Sequence, residues 1–272
     1  FVSALLPGSA MPRSSQLTLV GKRKVELTNL GKVLFPADGI LKAELVEYYV
    51  KAAPTILRHV KGRPLSFLRC PDGIGGEAFF QKNRPRWAPA WLGHIGLGEP
   101  EKTQYVLATE DASLAWISNQ ACIELHQMPW RVSSQGRPDY MVFDLDPPED
   151  WEFPRTVGLA FDLREHLEGF GYHPFVKTTG KRGLHVVAPV EARWDEGEVF
   201  GAASAIAAPF VDRRRQFTTL QVKKEARKRR ALIDIYRNRA SQTIASPYSV
   251  RGLDGAPVSM PVSWDQLAAI GN

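Results

Sequence analysis

The sequence predicts a mixed α/β (α+β) chain of one large domain or two lobes, its second half running strand–helix–strand–strand–helix–strand. Three observations carry that reading. The 272 residues are 44% hydrophobic and 24% charged, enough apolar mass for one large domain or two lobes. No apolar run approaches 18 residues, so no membrane span is expected. From Tyr140 onward, short β-type runs alternate regularly with segments of helical periodicity.

The elements follow in order. Residues 1–20 are small and polar with two prolines and read as a loose leader. Residues 22–27 read as a short strand. Residues 42–53 read as a helix with Leu45, Val46, Tyr49, Val50 and Ala53 inward. Runs 65–70 and 78–81 read as strands around the turn-rich 71–76 segment, and 103–108 as another. Residues 111–120 look like a capped helix with Trp116 inward. The second lobe follows: strand 140–146, helix 155–169, strands 173–177 and 184–188, helix 196–211 and strand 231–236. That order is the ferredoxin-like or RNA-recognition-motif-like (RRM-like) pattern. The division expected is therefore 1–20, 21–130 and 131–272.

The chemistry concentrates at the end of the first strand of this half, in Tyr-Met-Val-Phe-Asp-Leu-Asp-Pro-Pro. Asp144 and Asp146, two apart on a strand, project from one face about 6.5 Å apart. Such a pair can simply open a turn, which Pro147-Pro148 enforce. It also suits a pair of divalent cations, Mn²⁺ or Mg²⁺, which take hard oxygen ligands. The βαββαβ order sets the last strand beside the first, so Asp234, flanked by isoleucines, is expected next to Asp144 and Asp146. A lone acid in an apolar strand is costly unless a cation meets it. Between the middle strands, Thr178-Thr179-Gly180-Lys181-Arg182-Gly183-Leu184-His185 offers glycines, hydroxyls and two cations to a phosphate. A glycine hairpin is equally ordinary strand punctuation.

Charge is as uneven as the elements. Residues 213–230 hold nine basic groups and one acid, +8 against a total of +6. They point to a phosphate-rich partner, although arginines also suit a helix C-terminus. Cys70 and Cys122 form no metal or disulfide framework and read as free thiols of a reducing cytoplasm. No His/Cys spacing supports zinc. The start at Phe1 reads as a piece of a longer polypeptide.

Together, these motifs resemble the archaeo-eukaryotic primase superfamily, in particular the polymerase domain of bacterial ligase D. Phe143-Asp144-Leu145-Asp146-Pro147 resembles its first metal motif, Thr179–His185 its nucleotide-phosphate motif, and Ile233-Asp234 with Tyr236-Arg237-Asn238 its third. The resemblance implies a primase-like two-lobed fold and a polymerase-type nucleotidyltransferase. Asp144 and Asp146 would bridge two Mn²⁺ (or Mg²⁺) ions, with Asp234 on the side of the primer hydroxyl. It implies His126, Thr179, Lys181, Arg182, His185, Arg227 and Arg251 around the nucleotide. It further implies Asn29, Lys32 and Lys42 at a recessed DNA 5′-phosphate and Phe80 against a template base. Phe79 and Phe80 are strand neighbours, so at least one of them is expected in the core. The family more often has Ser at Thr179 and Lys at Arg182; hydroxyl and charge are kept. The implied setting is bacterial non-homologous end joining in the cytoplasm at the nucleoid. Ku, NTP or dNTP, primer–template DNA, and ligase and phosphoesterase domains of a parent chain are the implied partners. Two rivals stand: another Asp-x-Asp phosphotransferase or hydrolase, and a non-catalytic nucleic-acid-binding module.

Overall fold

The computed structural model describes residues 15–100 and 102–271. The chain begins with β1 (Ser15–Val20), β2 (Arg23–Thr28), β3 (Val33–Phe35) and β4 (Ile40–Leu41), then α1 (Lys42–Lys51) and α2 (Ala53–Val60). There follow β5 (Leu65–Arg69), β6 (Phe79–Gln81), β7 (Gly93–Leu97), β8 (Thr103–Leu107), α3 (Asp111–Asn119) and β9 (Cys122–Gln127). The second half holds β10 (Tyr140–Asp146), α4 (Phe153–Glu168), β11 (Phe175–Thr178), β12 (Leu184–Pro189) and α5 (Glu196–Arg213). It closes with β13 (Thr218–Thr219), α6 (Lys224–Arg227), β14 (Ala231–Asp234), β15 (Ile244–Ala245), β16 (Pro261–Val262) and α7 (Trp264–Ile270).

Two larger sheets organise these elements. One has the order β13-β14-β10-β12-β11-β16, and the other β15-β9-β5-β8-β7 with β6 paired to β5. The former, the second sheet in chain order, contains the βαββαβ order, with the opening strand β10 between β12 and β14 as expected. Its core face is apolar: Phe143, Leu145, Val176, Leu184, Val186 and Ile233 pack on α4 and α5 residues such as Leu163 and Phe210. The latter, the first sheet in chain order, packs α1, α2 and α3 around Tyr49, Ile56, Phe67, Ile117 and Ile123.

Several boundaries depart from the sequence reading, each for a local reason. Ser15–Val20, placed in the leader, is a strand paired in register with β2; residues 1–14 lie outside the described residues. The helix expected over 42–53 breaks at Ala52, and Pro54, which cannot continue a helix but starts one well, stands in the first turn of α2. Val50, expected inward, is only half-buried. Neither Phe79 nor Phe80 is core, because β6 pairs with β5 alone; they are 39% and 58% exposed. The 131–272 segment is not confined to the second sheet. β15 pairs with β9, and Val250 packs in the first core.

The last strand stops at Asp234 rather than running to residue 236. The Asp234 carboxylate accepts the Tyr236 N–H at 2.8 Å and starts a tight turn. Asn238 then takes over pairing with β10. Its side chain accepts from Val142 N–H (2.8 Å) and donates to the Val142 and Ile235 carbonyls (2.7 and 2.8 Å). Asn238 is buried, so truncation leaves backbone groups unsatisfied inside the molecule. Asn238→Ala is expected to lower stability by about 2–4 kcal/mol, read as a fall in the urea midpoint at unchanged slope.

Candidate active site

The register of the catalytic sheet sets one row of ionisable residues across four strands. Asp144 lies opposite Asp234 on one side and His185 on the other, and His185 lies opposite Lys177. Residues opposite one another share a face. This face looks away from the apolar core, into a cleft of about 690 Å³ between the two sheets. The cleft brings together Asp144, Asp146, Asp234, His126, Thr179, Lys181, Arg182, His185, Arg227, Arg251 and Phe80.

The acids are met by basic side chains. His185 Nε2 stands 3.4 Å from Asp144, and Arg237 Nε stands 3.2 Å from Asp234 and 3.7 Å from Asp144. Arg227 donates to Asp146 at 2.5 Å. Burial and its acidic neighbours push the Asp234 carboxyl up, against the pull of Arg237 and the Tyr236 N–H. Burial acts on Asp144 too, but His185, Arg237 and Lys177 outweigh it and hold that carboxyl below its usual range. His185 is pushed down to about 4 by burial and then by Lys177, so it supports Asp144 as a neutral imidazole.

Three hard oxygen donors on one exposed sheet face fit divalent cations in chemistry. Among the described residues, however, no three acidic, histidine or cysteine side chains stand together as a ready-made ion cage. The reason is visible: Arg227 takes Asp146, and Arg237 lies against both Asp144 and Asp234.

The phosphate-type hairpin is shaped by its glycines. Gly180 has φ +69°, and a Cβ there would come within 2.5 Å of Arg251; a Cβ at Gly183 would meet the Leu145 carbonyl oxygen at 2.3 Å. Thr179 Oγ1 donates to the Gly183 carbonyl at 3.0 Å and accepts from Lys181 N–H at 3.2 Å, closing the turn on itself. Arg182 donates to the Glu149 carbonyl at 3.0 Å. Arg251 donates to the Thr179 carbonyl from below.

Two residues that the sequence reading passed over hold this arrangement. Glu124 on β9 meets His126 at 2.7 Å and Arg251 at 3.2 Å, and accepts Gly252 N–H at 3.0 Å. Burial opposes its charge, but these partners win and hold the carboxyl at about 2. Lys177 donates to Ser259 Oγ at 2.5 Å, and Ser259 donates to the Thr178 carbonyl at 2.9 Å. Burial and Arg251 bring Lys177 down to about 7. The signal for Glu124 was present: in Cys-Ile-Glu-Leu-His-Gln, Ile123 and Leu125 alternate with Glu124 and His126, the period of a strand with one face in the core.

Phe80 packs edge-on against His126 with ring centroids 5.1 Å apart. Asn29, Lys32 and Lys42 lie elsewhere, grouped at a turn of the first lobe. Asn29 takes φ +51°, and Lys32 N–H donates to its carbonyl. Lys32 pairs with Asp72 at 2.6 Å on the surface, while the buried Lys42 donates to the Thr28 carbonyl. Burial and then Lys32 pull Lys42 down to about 8.

Glu124 makes acid stability a test of this network. Its folded pKa, about 2, lies below the 4.5 of an ordinary glutamate, so the unfolded chain binds more protons between these values. Its stabilisation is present above about pH 4.5 and is lost as pH falls toward 2. Glu124→Gln is expected to flatten the fall of unfolding free energy over that window by on the order of 3 kcal/mol, measured by urea melts at stepped pH.

Known proteins give this geometry a family. A profile described as LigD, primase-polymerase domain, matches residues 41–272. The multifunctional non-homologous end joining protein LigD of Mycolicibacterium smegmatis is 32% identical over 248 residues, covering 90% of this chain and 32% of its own length. The bifunctional LigD of Bacillus subtilis is 28% identical over 246 residues, covering 90% and 39%. The chain thus spans about a third of the length of these curated relatives. The polymerase domain of Mycobacterium tuberculosis ligase D, solved in complex with DNA, superposes with a TM-score of 0.84 at 31% identity, covering 90% of this chain and 88% of that one. With its acid row, its glycine hairpin and these matches, the chain belongs to the LigD primase-polymerase domain family and has the primase-like fold of a polymerase-type nucleotidyltransferase.

Proposed function

We propose that the chain is a DNA-repair polymerase module that adds ribo- or deoxyribonucleotides to a primer 3′-hydroxyl at gaps and ends bearing a 5′-phosphate. The observation that carries this reading is the register pair Asp144–Asp234, facing the same cleft as the glycine hairpin and His126. The setting we infer is bacterial non-homologous end joining, with Ku nearby and ligase and phosphoesterase domains in the parent polypeptide.

The residues divide the task. Two Mn²⁺ or Mg²⁺ ions held by Asp144, Asp146 and Asp234 would lower the pKa of the attacking hydroxyl and neutralise the departing pyrophosphate. Neutral His185 keeps Asp144 oriented through its N–H. Thr179, Lys181 and Arg182 present the hairpin's hydroxyl, backbone N–H groups and charge to the triphosphate. Arg251 sets the hairpin's height from beneath, and Glu124 fixes both Arg251 and the ring of His126 that reaches toward the nucleotide. Arg227 lies at the cleft wall as a further phosphate partner. Phe80, exposed beside His126, offers a ring face to a template base. Asn29, Lys32 and Lys42 take the 5′-phosphate, for which Lys32 must exchange Asp72.

Two measurements test this. Asp144→Ala, assayed with a 5′-phosphorylated gapped duplex, Mn²⁺ and nucleotide, is expected to lose primer extension by about a thousandfold or more while still binding the duplex. Extension at the parent rate would remove the catalytic assignment. Lys32→Ala is expected to abolish the preference for gapped DNA carrying a 5′-phosphate over the same DNA without it; an intact preference would place that phosphate elsewhere.

A further inference from the structure

The basic stretch 213–230 is only partly used by the cleft. Arg227 joins the acids, Arg214 pairs with Asp162 at 2.8 Å and Arg229 with Asp150 at 2.5 Å. Arg213 donates to His166 at 2.8 Å and Arg230 to backbone carbonyls; Arg215, exposed past the end of α5, and Arg155, exposed in the first turn of α4, have neither an acid nor a hydrogen-bond partner for their side chains among the described residues. A cation in the first turn is on the wrong end of the helix dipole, so folding alone does not favour it there.

Arg155 instead joins two aromatic rings. Its guanidinium lies 4.0 Å from the Trp151 ring centroid and 5.0 Å from that of Phe217. Phe217 is 50% exposed and Trp151 half-buried. Aromatic rings beside unpaired guanidinium groups are the composition of a single-strand platform: bases stack on the rings, and phosphates follow the arginines. A double helix keeps its bases in the stack and would use only the charges.

The place of this platform selects the strand. Trp151 and Arg155 follow Asp146 on the loop and helix that leave the end of β10. Phe217 immediately precedes β13, the edge strand beside β14, which carries Asp234. The platform therefore lies toward the β13–β14 edge of the sheet, on the side of Asp234, outside the lining of the cleft itself. In the function proposed above, on which this inference rests, Asp234 is the carboxylate on the side of the attacking hydroxyl. We propose that Trp151, Arg155, Arg215 and Phe217 form a binding surface for the unpaired nucleotides of the strand that ends in that 3′-hydroxyl.

The test separates this surface from the cleft. Binding of a short fluorescent single-stranded oligonucleotide is measured by anisotropy with neither metal nor nucleotide, so the outcome does not depend on catalysis. Phe217→Ala is expected to weaken it roughly tenfold, in the range of one lost base stack. Arg215→Gln, at an exposed position, is expected to weaken it and reduce its salt dependence. Phe217→Leu keeps apolar bulk without a ring, so weakening in this variant also assigns the loss to stacking rather than to folding. In extension assays the same variants should raise the KM for a primer with an unpaired 3′ tail and leave the nucleotide KM unchanged. Single-strand affinities equal to the parent's in all three variants would overturn the proposal. So would an equal loss on a blunt duplex lacking any tail, which would make the patch a duplex-backbone contact. Failure of Asp144→Ala to stop extension would instead sink the reading of the cleft and leave the single-strand measurement standing.

Discussion

Asp144 and Asp234 face each other across two hydrogen-bonded strands, and the rest of the site answers to that pairing. Two carboxylates about 5 Å apart at a protein surface repel by about 3 kcal/mol. Neither can turn away, because the alternate residues Phe143, Leu145 and Ile233 are locked into the core on the opposite face. A register slip of one residue would bury the acids and expose those side chains, so the hydrophobic pattern holds the repulsion in place. Positive charge must therefore come to the acids. Here Arg237 and Lys177 bring it, with Arg227 at Asp146 and the His185 ring as a hydrogen-bond donor to Asp144. A site that draws cations this strongly by its backbone geometry is suited to hold metal ions when nucleotide supplies the remaining ligands.

The second constraint is the joint between the lobes. Glu124 belongs to the first sheet, yet it binds Arg251, whose guanidinium reaches the carbonyl of Thr179 in the second. β15 and Val250 return the late chain to the first sheet and its core, so the cleft walls are tied at their base. The hairpin is thus fixed from both sides: by close backbone approach at Gly183 and by Arg251 under Gly180. A loop held in this way presents its N–H groups without further ordering, so a triphosphate bound there, as proposed, would cost little entropy.

Much of this was legible in sequence because the second half alternates cleanly. The apolar run that opens residues 140–146 located the strand, the i, i+2 spacing put both its acids on one face, and the βαββαβ order placed β14 beside it. What was hidden were features set by long-range pairing. The alternation in β9 shows which face Glu124 takes but not its partner, because Arg251 lies far along the chain. β13, β15 and β16 are two residues each, too short for any period to show. Ser15–Val20 looked loose because its outer face is exposed and only its pairing with β2 gives it a strand's regularity. The positions of Phe79 and Phe80 were misjudged for a related reason: alternation predicts opposite faces, but an edge strand lying over a cleft has no core beneath either face.

The exposed rings show how function departs from the packing rule. Phe80 and Phe217 each sit where folding gains little from them, one on an edge strand and one after a helix. Each lies beside a group that gives an aromatic face a use: His126 in the first case, the Arg155 guanidinium in the second. The row Asp234–Asp144–His185–Lys177 opens to the cleft that Phe80 lines, whereas Phe217 stands outside that lining, toward the β13–β14 edge. In the function proposed, the acidic floor would repel a nucleic-acid backbone while rings and guanidinium groups beyond it would hold one, so that a strand end would meet the carboxylates only through ions.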